Sequence, residues 1–332
     1  MKLLRLAAIS AVILALLVVM LGAYTRLTNA GLGCPDWPGC YGQLVLPSAQ
    51  NELAQAQREY PHTPIESRKA WTEMVHRYAA GTLALLVILI AWRVLRLRVS
   101  GRSFPWILPL VLVMLIGFQA ALGMWTVTLK LLPVVVMGHL LGGILIFSCL
   151  CYFCWQLSSV KGHDLPQWRS WINLGIVVVF FQIALGGWVS SNYAGLACIG
   201  FPQCNGQWLP ALHFSRGFNL FSAIGANYQG GLLDNDSRVT IQFIHRLGAF
   251  VTATYVLVLA GLIGLRVRTP SVRKAAAVAV LLVMLQFMLG VINVVYLLPL
   301  WAAVLHNGAA ALLLATMASL RYFVTKGAGY AR

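Results

Sequence analysis

Charged residues are scarce in this 332-residue sequence, at 10%, and acidic ones are scarcer still, with only 8 Asp and Glu. Hydrophobic residues make up 60% of it. This composition excludes an ordinary water-soluble domain, which does not need so much apolar surface. A membrane-spanning helix needs roughly 20 apolar residues, and eight stretches qualify, at about 6–25, 72–92, 105–129, 134–157, 171–190, 239–265, 275–297 and 300–320. We therefore predict an all-α polytopic membrane protein with eight transmembrane helices.

The net charge of +16 does not indicate a nucleic-acid partner, because the charges follow the predicted topology. Most basic residues, among them Arg93, Arg102, Arg266, Lys326 and Arg332, fall on one side of the eight spans, and seven of the eight acidic residues fall on the other. The basic side is expected to be cytoplasmic. This places both termini in the cytoplasm and gives the protein a surface suited to anionic membrane lipids.

The first segment, MKLLRLAAIS, has the basic start and apolar core of a signal peptide. No clear small-x-small cleavage site follows, and the segment has a counterpart later in the chain, so we expect it to be the first span. The sequence shows no Arg- and Ser-rich transit extension either. We expect a bacterial inner membrane protein.

Five segments of the first half recur in the second half in the same order, which indicates an internal repeat. The pairs are LGAYTRLTNAGLGC (21–34) with LGGWVSSNYAGLAC (185–198), GCPDWPGCYGQ (33–43) with ACIGFPQCNGQ (197–207), EMVHR (73–77) with QFIHR (242–246), FQAALG (118–123) with LQFMLG (285–290), and LLPVVVMGHLLGGILI (131–146) with LLPLWAAVLHNGAAAL (297–312). Four spans per half return the chain to its starting side, so the two four-helix bundles form a pseudo-symmetric parallel repeat. We expect an N-terminal half at 1–160, a cytoplasmic linker at 161–170 and a C-terminal half at 171–332.

Four of the seven histidines lie in predicted spans, and ionisable groups there are functional candidates. They are His76, His139, His245 and His306, in the second and fourth span of each half. The members of each pair are expected at the same depth, roughly 8 Å below the outer surface. Zinc or copper usually has further Cys, His or carboxylate ligands, and few lie nearby in these spans. Facing imidazoles in a helix bundle are typical heme ligands.

Small residues follow these histidines, for example Gly81, Gly142 and Gly308, and are expected to let a flat macrocycle approach the backbone. We therefore predict one heme in each half, with Arg77 and Arg246 as candidate contacts for its propionates. The alternative for these two arginines is snorkelling to lipid headgroups.

The two histidine motifs differ in one titratable group. Glu73 lies three residues before His76, on the same helix face, whereas Gln242 occupies that position before His245. A helix-dipole role for Glu73 is the simpler interpretation. The asymmetry favours a reacting site in the N-terminal half and a cofactor site in the C-terminal half.

Each half also has a Cys-x5-Cys loop, formed by Cys34 and Cys40 and by Cys198 and Cys204. Outside the cytoplasm these pairs are expected to form disulfides. They are either structural or, as small exposed loop disulfides, redox-active in exchange with thiols. Cys149, Cys151 and Cys154 are expected to pack as small hydrophobes.

The two cysteine loops together with EMVHR, GHLLGG (138–143), FIHRLGA (243–249) and LHNGAA (305–310) resemble the heme A synthase family, in its cysteine-containing bacterial branch. The resemblance covers nearly the whole chain. It implies an eight-helix fold and oxidation of the C8 methyl group of heme O to the formyl group of heme A, for heme-copper terminal oxidases. It also implies that His76 and His139 flank the substrate heme, that Glu73 is catalytic, and that His245 and His306 ligate heme b.

By the same resemblance, heme O is the substrate, and heme O synthase and cytochrome oxidase assembly factors are partners; a homo-oligomer is left open. Three alternatives remain. A diheme bis-histidine cytochrome b would explain the histidines but not the difference between Glu73 and Gln242. A membrane thiol-disulfide oxidoreductase would use the cysteines but not the histidines. The last alternative is a transporter built from paired repeats.

Overall fold

The computed structural model describes residues 2–100 and 105–326, so Met1, Arg102 and Arg332 lie outside the described residues. Within them the chain forms ten helices: α1 Lys2–Leu27, α2 Gln50–Glu59, α3 Ser67–Val99, α4 Ile107–Thr128, α5 Pro133–Gln156, α6 Pro166–Ser191, α7 Phe214–Gly217, α8 Asn235–Arg266, α9 Pro270–Val295 and α10 Leu300–Phe323. Eight of these helices are long and apolar enough to cross a membrane. The prediction of an all-α, multi-pass membrane protein is confirmed.

Several spanning helices begin before the apolar runs that predicted them, among them α3 and α8. Both begin with a polar turn, Ser67–Arg68–Lys69 in α3 and Asn235–Asp236–Ser237 in α8. The Asp234 side chain accepts a hydrogen bond from the Ser237 amide at 2.8 Å and caps α8. The apolar run therefore marks the part of the helix that is suited to lie in the membrane, whereas the capping residue and the polar first turn determine where the helix begins. The short helices α2 and α7, in the connecting loops, were not predicted.

The spanning helices pack in two closed rings of four. In the first ring α1 and α4 each contact α3 and α5; in the second, α6 and α9 each contact α8 and α10. The rings meet where α5 packs on α6 and α10 and where α1 packs on α10. A continuous apolar core runs through both rings. It positions the helices that carry the four histidines.

The same backbone turns recur at matched places in the two rings. Asn29 and Tyr193 each have a positive φ, near +53°, just beyond the first helix of their ring. An isolated antiparallel bridge joins Cys40 to Gln43, and another joins Cys204 to Gln207. These turns support the proposed repeat. The division into halves and the cytoplasmic placement of the termini stay predictions.

The segment between the rings is tied to the end of the last helix. The His163 amide donates to the Phe323 carbonyl at 2.8 Å, and the Leu165 amide donates to the Val324 carbonyl at 3.2 Å. The segment therefore pairs with the C-terminal end of α10. The cysteine loops lie at the opposite end of the bundle.

Candidate functional site

The four histidines predicted as ligands lie on four helices, two in each ring: His76 on α3, His139 on α5, His245 on α8 and His306 on α10. The ring centroids of His76 and His139 are 6.4 Å apart, with the ring planes at 81° to one another. His245 and His306 line one cavity of about 380 Å³. The structure therefore brings together the members of each predicted pair.

Each imidazole lies with its Cε1 edge against a glycine of a neighbouring helix. A β-carbon added at that glycine would lie within 3.0 to 3.4 Å of the ring: Gly22 with His76 at 3.0 Å, Gly123 with His139 at 3.2 Å, Gly186 with His245 at 3.1 Å and Gly290 with His306 at 3.4 Å. At Gly22, Gly123 and Gly186 a larger residue would force the ring or the helix to shift, and at Gly290 an added methyl group would just touch the ring. The sequence reasoning missed these four glycines, which pack against the rings of all four candidate ligands.

Two of the three glycines predicted to leave room for a macrocycle beside the histidines are covered by other side chains. The Gly142 surface is covered by the Gln119 side chain, and the Gly308 surface is covered by Met20. These two glycines therefore receive protein side chains and do not form an open surface for a macrocycle. Only Gly81 faces open space, with nothing within 4 Å of an added β-carbon.

Two glutamines hold the backbone of a histidine. The Gln119 Nε2 donates to the His139 carbonyl at 2.5 Å. The Gln182 Nε2 donates to the His245 carbonyl at 2.9 Å and lies 3.1 Å from the His245 Nδ1. Groups of this kind orient a ligand by contacts on the side away from the metal. Neither glutamine was singled out from the sequence.

The Nδ1 atoms of His76, His139 and His306 are buried and make no hydrogen bond among the described residues. The backbone carbonyls of Val18, Gln119 and Gln286, respectively, lie close to these rings, but the geometry falls short of a hydrogen bond. With Nδ1 directed into protein, the other nitrogen of each ring, Nε2, is the one suited to bind a ligand.

Glu73 is buried, with 4% of its surface exposed, and lies between α3 and the first cysteine loop. One carboxylate oxygen accepts from the Cys34 amide at 3.0 Å, and the other pairs with the Arg77 guanidinium at 2.5 Å. Arg77 also donates to the carbonyls of Asp36, Pro38 and Gly39. The pair Glu73–Arg77 therefore fastens the loop onto the helix that carries His76.

The second ring fastens its loop without a carboxylate. Arg246 donates to the carbonyls of Cys198, Gly200 and Gln203. Gln242, at the position that Glu73 occupies in the first ring, is buried, and its Oε1 has no partner among the described residues. The loop attachment thus repeats in both rings, and the acidic group does not.

Disulfides join Cys34 to Cys40 and Cys198 to Cys204, as predicted. None of the four cysteines is more than 1% exposed. The expectation of exposed loop disulfides is therefore wrong, because the arginine contacts draw both loops against the helices. Cys149, Cys151 and Cys154 are unpaired and pack, partly buried, against the apolar core.

Tyr41, next to the first disulfide, adds a further contact between this loop and the start of α3. It is 2% exposed, and its hydroxyl donates to the Pro64 carbonyl at 3.1 Å. Burial raises the pKa of this hydroxyl, and the nearby carboxylates of Glu66, Asp36 and Glu73 raise it further. The hydroxyl therefore stays protonated at neutral pH and keeps donating.

Two rings of spanning helices, each with a pair of inward histidines below a disulfide loop, define a multi-pass membrane protein with two related sites. Residues 5–318 match the family model described as cytochrome oxidase assembly protein (COX15-CtaA). The chain belongs to this family.

Curated relatives match along nearly the full length. The chain is 45% identical to a protein of Shewanella oneidensis named heme A synthase. The alignment is 315 residues long and covers 93% of both chains. Proteins with the same name from Granulibacter bethesdensis and from Caulobacter sp. (strain K31) are each 29% identical to it. The two alignments are 340 and 338 positions long; both cover 95% of this chain, and they cover 85% and 94% of the respective relative.

The contact between His76 and Gly22 predicts an effect on stability. Gly22→Ala places a methyl group 3.0 Å from Cε1 of His76, so we expect the strain of overpacking, about 1–3 kcal/mol. Gly81→Ala is the matched control, because it adds the same group in open space and gains helix propensity. Thermal unfolding of both variants in detergent should give a lower Tm for Gly22→Ala only. Equal Tm values would contradict the packing role of Gly22.

Proposed function

We propose that this protein is an oxidoreductase that converts heme O to heme A by oxidising the C8 methyl group to a formyl group. The observation that carries the proposal is the difference between two otherwise matched sites: a buried carboxylate lies beside the first histidine pair, and an amide lies beside the second. The names of the curated relatives support the same activity. In this proposal the first pair holds the substrate and the second pair holds a resident heme b.

The spacing of the first histidine pair fits heme iron. An imidazole–metal bond is roughly 2 Å long, so two nitrogens on opposite sides of one iron are about 4 Å apart. Each ring centre lies roughly 1 Å behind its nitrogen, so the centroids should be about 6 Å apart. The observed separation is 6.4 Å. At the second pair, the cavity that His245 and His306 line and the glycines behind both rings support a heme b site.

A heme b held by His245 and His306 would supply electron transfer to or from the substrate site. The protein groups have separate tasks. Arg77 and the Cys34 amide hold the Glu73 carboxylate one helical turn from His76. There it can take a proton from the reacting group or stabilise a developing cation, because the apolar surroundings strengthen both effects.

Other assignments complete the proposal. Arg246 lines the same cavity as His245 and stays a candidate for a propionate contact there; Arg77 is the corresponding candidate in the first ring. The protein is placed in a bacterial inner membrane, with both heme sites near the periplasmic face. Its partners are heme O synthase and assembly factors of cytochrome oxidase.

The alternatives account for less of the structure. A diheme electron-transfer cytochrome needs two similar sites and has no use for a buried carboxylate at one of them. A thiol oxidoreductase needs an accessible disulfide, and both disulfides are buried.

Replacing the carboxylate tests the catalytic role of Glu73. Glu73→Gln keeps the size and hydrogen-bonding capacity of the side chain and removes its ionisable group. An acid–base role is worth roughly 100- to 10,000-fold in rate, whereas a role only in fastening the first loop through Arg77 and the Cys34 amide would change stability and leave the rate of the folded protein unaffected. We expect a folded protein that retains heme b, accumulates heme O or a hydroxymethyl form, and makes little heme A.

The reciprocal change, Gln242→Glu, is the matched control. It gives the second ring a carboxylate but should not create a second reacting site, since its heme is closed by two ligands. Extracted hemes are separated by chromatography in both cases. Heme A production by Glu73→Gln at near the wild-type level would rule out the catalytic role.

Removing ligands one at a time tests the assignment of the two sites. Without heme O, we expect the purified protein to contain one heme b, and His245→Ala or His306→Ala to remove most of its absorbance. His76→Ala and His139→Ala are the matched controls and should retain it. If the b-type spectrum is lost with His76→Ala and survives both changes in the second ring, the assignment is reversed.

A further inference from the structure

An arginine of the first ring reaches the cavity of the second ring. Arg26 lies in the last turn of α1, yet it lines the cavity of about 380 Å³ that His245 and His306 also line. Its Nη2 donates to the carbonyl of Ser190, on α6, at 2.5 Å. Its guanidinium carbon lies 3.9 Å from the ring centroid of Tyr193, which belongs to the wall of the same cavity. The Arg26 side chain therefore crosses from one ring to the other.

The internal repeat does not supply a second cation of this kind. When segment 21–34 is matched with segment 185–198, the position of Arg26 is occupied by Ser190, the residue whose carbonyl Arg26 contacts. A serine side chain is short and carries no charge. The cation between the rings is therefore present once, and the first ring contributes it to a cavity of the second.

The described lining of this cavity contains two arginines, Arg26 and Arg246, and no carboxylate. Neither arginine lies within ion-pair distance of an acidic side chain among the described residues. At the first site, in contrast, Arg77 pairs with Glu73. A charge in an apolar interior is costly unless an opposite charge neutralises it. The second cavity is therefore suited to a ligand that carries negative charge.

The two arginines differ in the number of hydrogen-bond donors that they can offer to a ligand. A guanidinium has five N–H groups. Arg246 directs three of them at loop carbonyls, whereas Arg26 directs one at the Ser190 carbonyl. The Arg26 Nε and the Tyr193 hydroxyl are buried and have no partner among the described residues. Neighbouring donors without acceptors in a cationic cavity indicate a place for a carboxylate.

We propose that Arg26, together with the Tyr193 hydroxyl, binds a propionate of the heme b in the second ring, and that its charge raises the reduction potential of this heme. The inference rests on the proposed function. A heme brings two propionates, so it can neutralise both cations of the cavity. A positive charge near the iron favours the reduced form, which carries one positive charge fewer. Arg26 is then a cofactor-binding residue that the substrate ring supplies to the other ring.

The alternative role for Arg26 is structural, as a link between the rings. The chain offers a matched control for this role near the other end of the bundle. There the Trp155 Nε1, on α5, donates to the Ser319 hydroxyl, on α10, at 2.9 Å. Ser319→Ala removes this hydrogen bond between the rings without changing a residue of the cavity wall. A change in the heme that is specific to Arg26 therefore separates the two roles.

Removing the charge of Arg26 tests the proposal. Arg26→Gln removes the charge, and Arg26→Lys keeps it. These variants, Ser319→Ala and the wild type are expressed without heme O synthase, so that conversion of the substrate plays no part. Two properties of the purified proteins are measured: the rate at which heme b is released to excess apomyoglobin, and the midpoint potential of heme b in an optical redox titration.

We expect Arg26→Gln to release heme b about tenfold faster than the wild type, since a hydrogen bond to a charged group contributes roughly that much. Its midpoint potential should fall by about 59 mV, which is a tenfold change in a one-electron equilibrium. Arg26→Lys should retain most of the wild-type potential. Ser319→Ala should match the wild type in both measurements.

Two results would overturn the proposal: wild-type potential and release rate in Arg26→Gln, or equal losses in Arg26→Gln and Ser319→Ala. If Arg26→Gln does not fold, Tyr193→Phe decides, because it removes only the unpartnered hydroxyl; heme release at the wild-type rate then counts against the proposal. Failure of the proposed function is a different result, namely wild-type protein that holds no heme b, or that keeps it after His245→Ala and after His306→Ala.

Discussion

The contact between an imidazole edge and a glycine of the next helix is the constraint on which both candidate sites depend. In each ring two such contacts set how closely the helices approach and which ring nitrogen faces protein. Since protein interiors are close-packed, a β-carbon at Gly22, Gly123 or Gly186 would move the histidine ring by a few tenths of an ångström. The apolar core then holds the helices at that spacing.

The two sites share this packing of imidazole on glycine but differ in their polar groups. Both rings use an arginine next to the histidine to fasten a disulfide loop over the site. Only the first adds a buried carboxylate, Glu73, and Gln242 takes its place in the second. Under the proposed function, this difference separates a reacting site from a site that retains its heme.

Hydrophobic runs predicted all eight spans, because burial in lipid leaves a strong signal in composition. The histidine pairs and cysteine loops were found because they are repeated in rare residue types. The glycines behind the rings were missed, although their segments were partly matched as repeats, since Leu-Gly pairs are common in apolar helices and their partners lie on other helices. The burial of the disulfides depends on arginine contacts to backbone carbonyls, such as Arg77 to Asp36, which no sequence pattern specifies.

The central claim is that one histidine pair receives heme O for oxidation while the other retains heme b. It is tested most directly by extracting the hemes from purified protein, expressed with and without heme O synthase in cells that make no heme A of their own. We expect heme b alone without heme O synthase, and heme b together with heme A when heme O is supplied. Protein that contains only heme b under both conditions, at two per chain, would contradict the account and identify a diheme cytochrome.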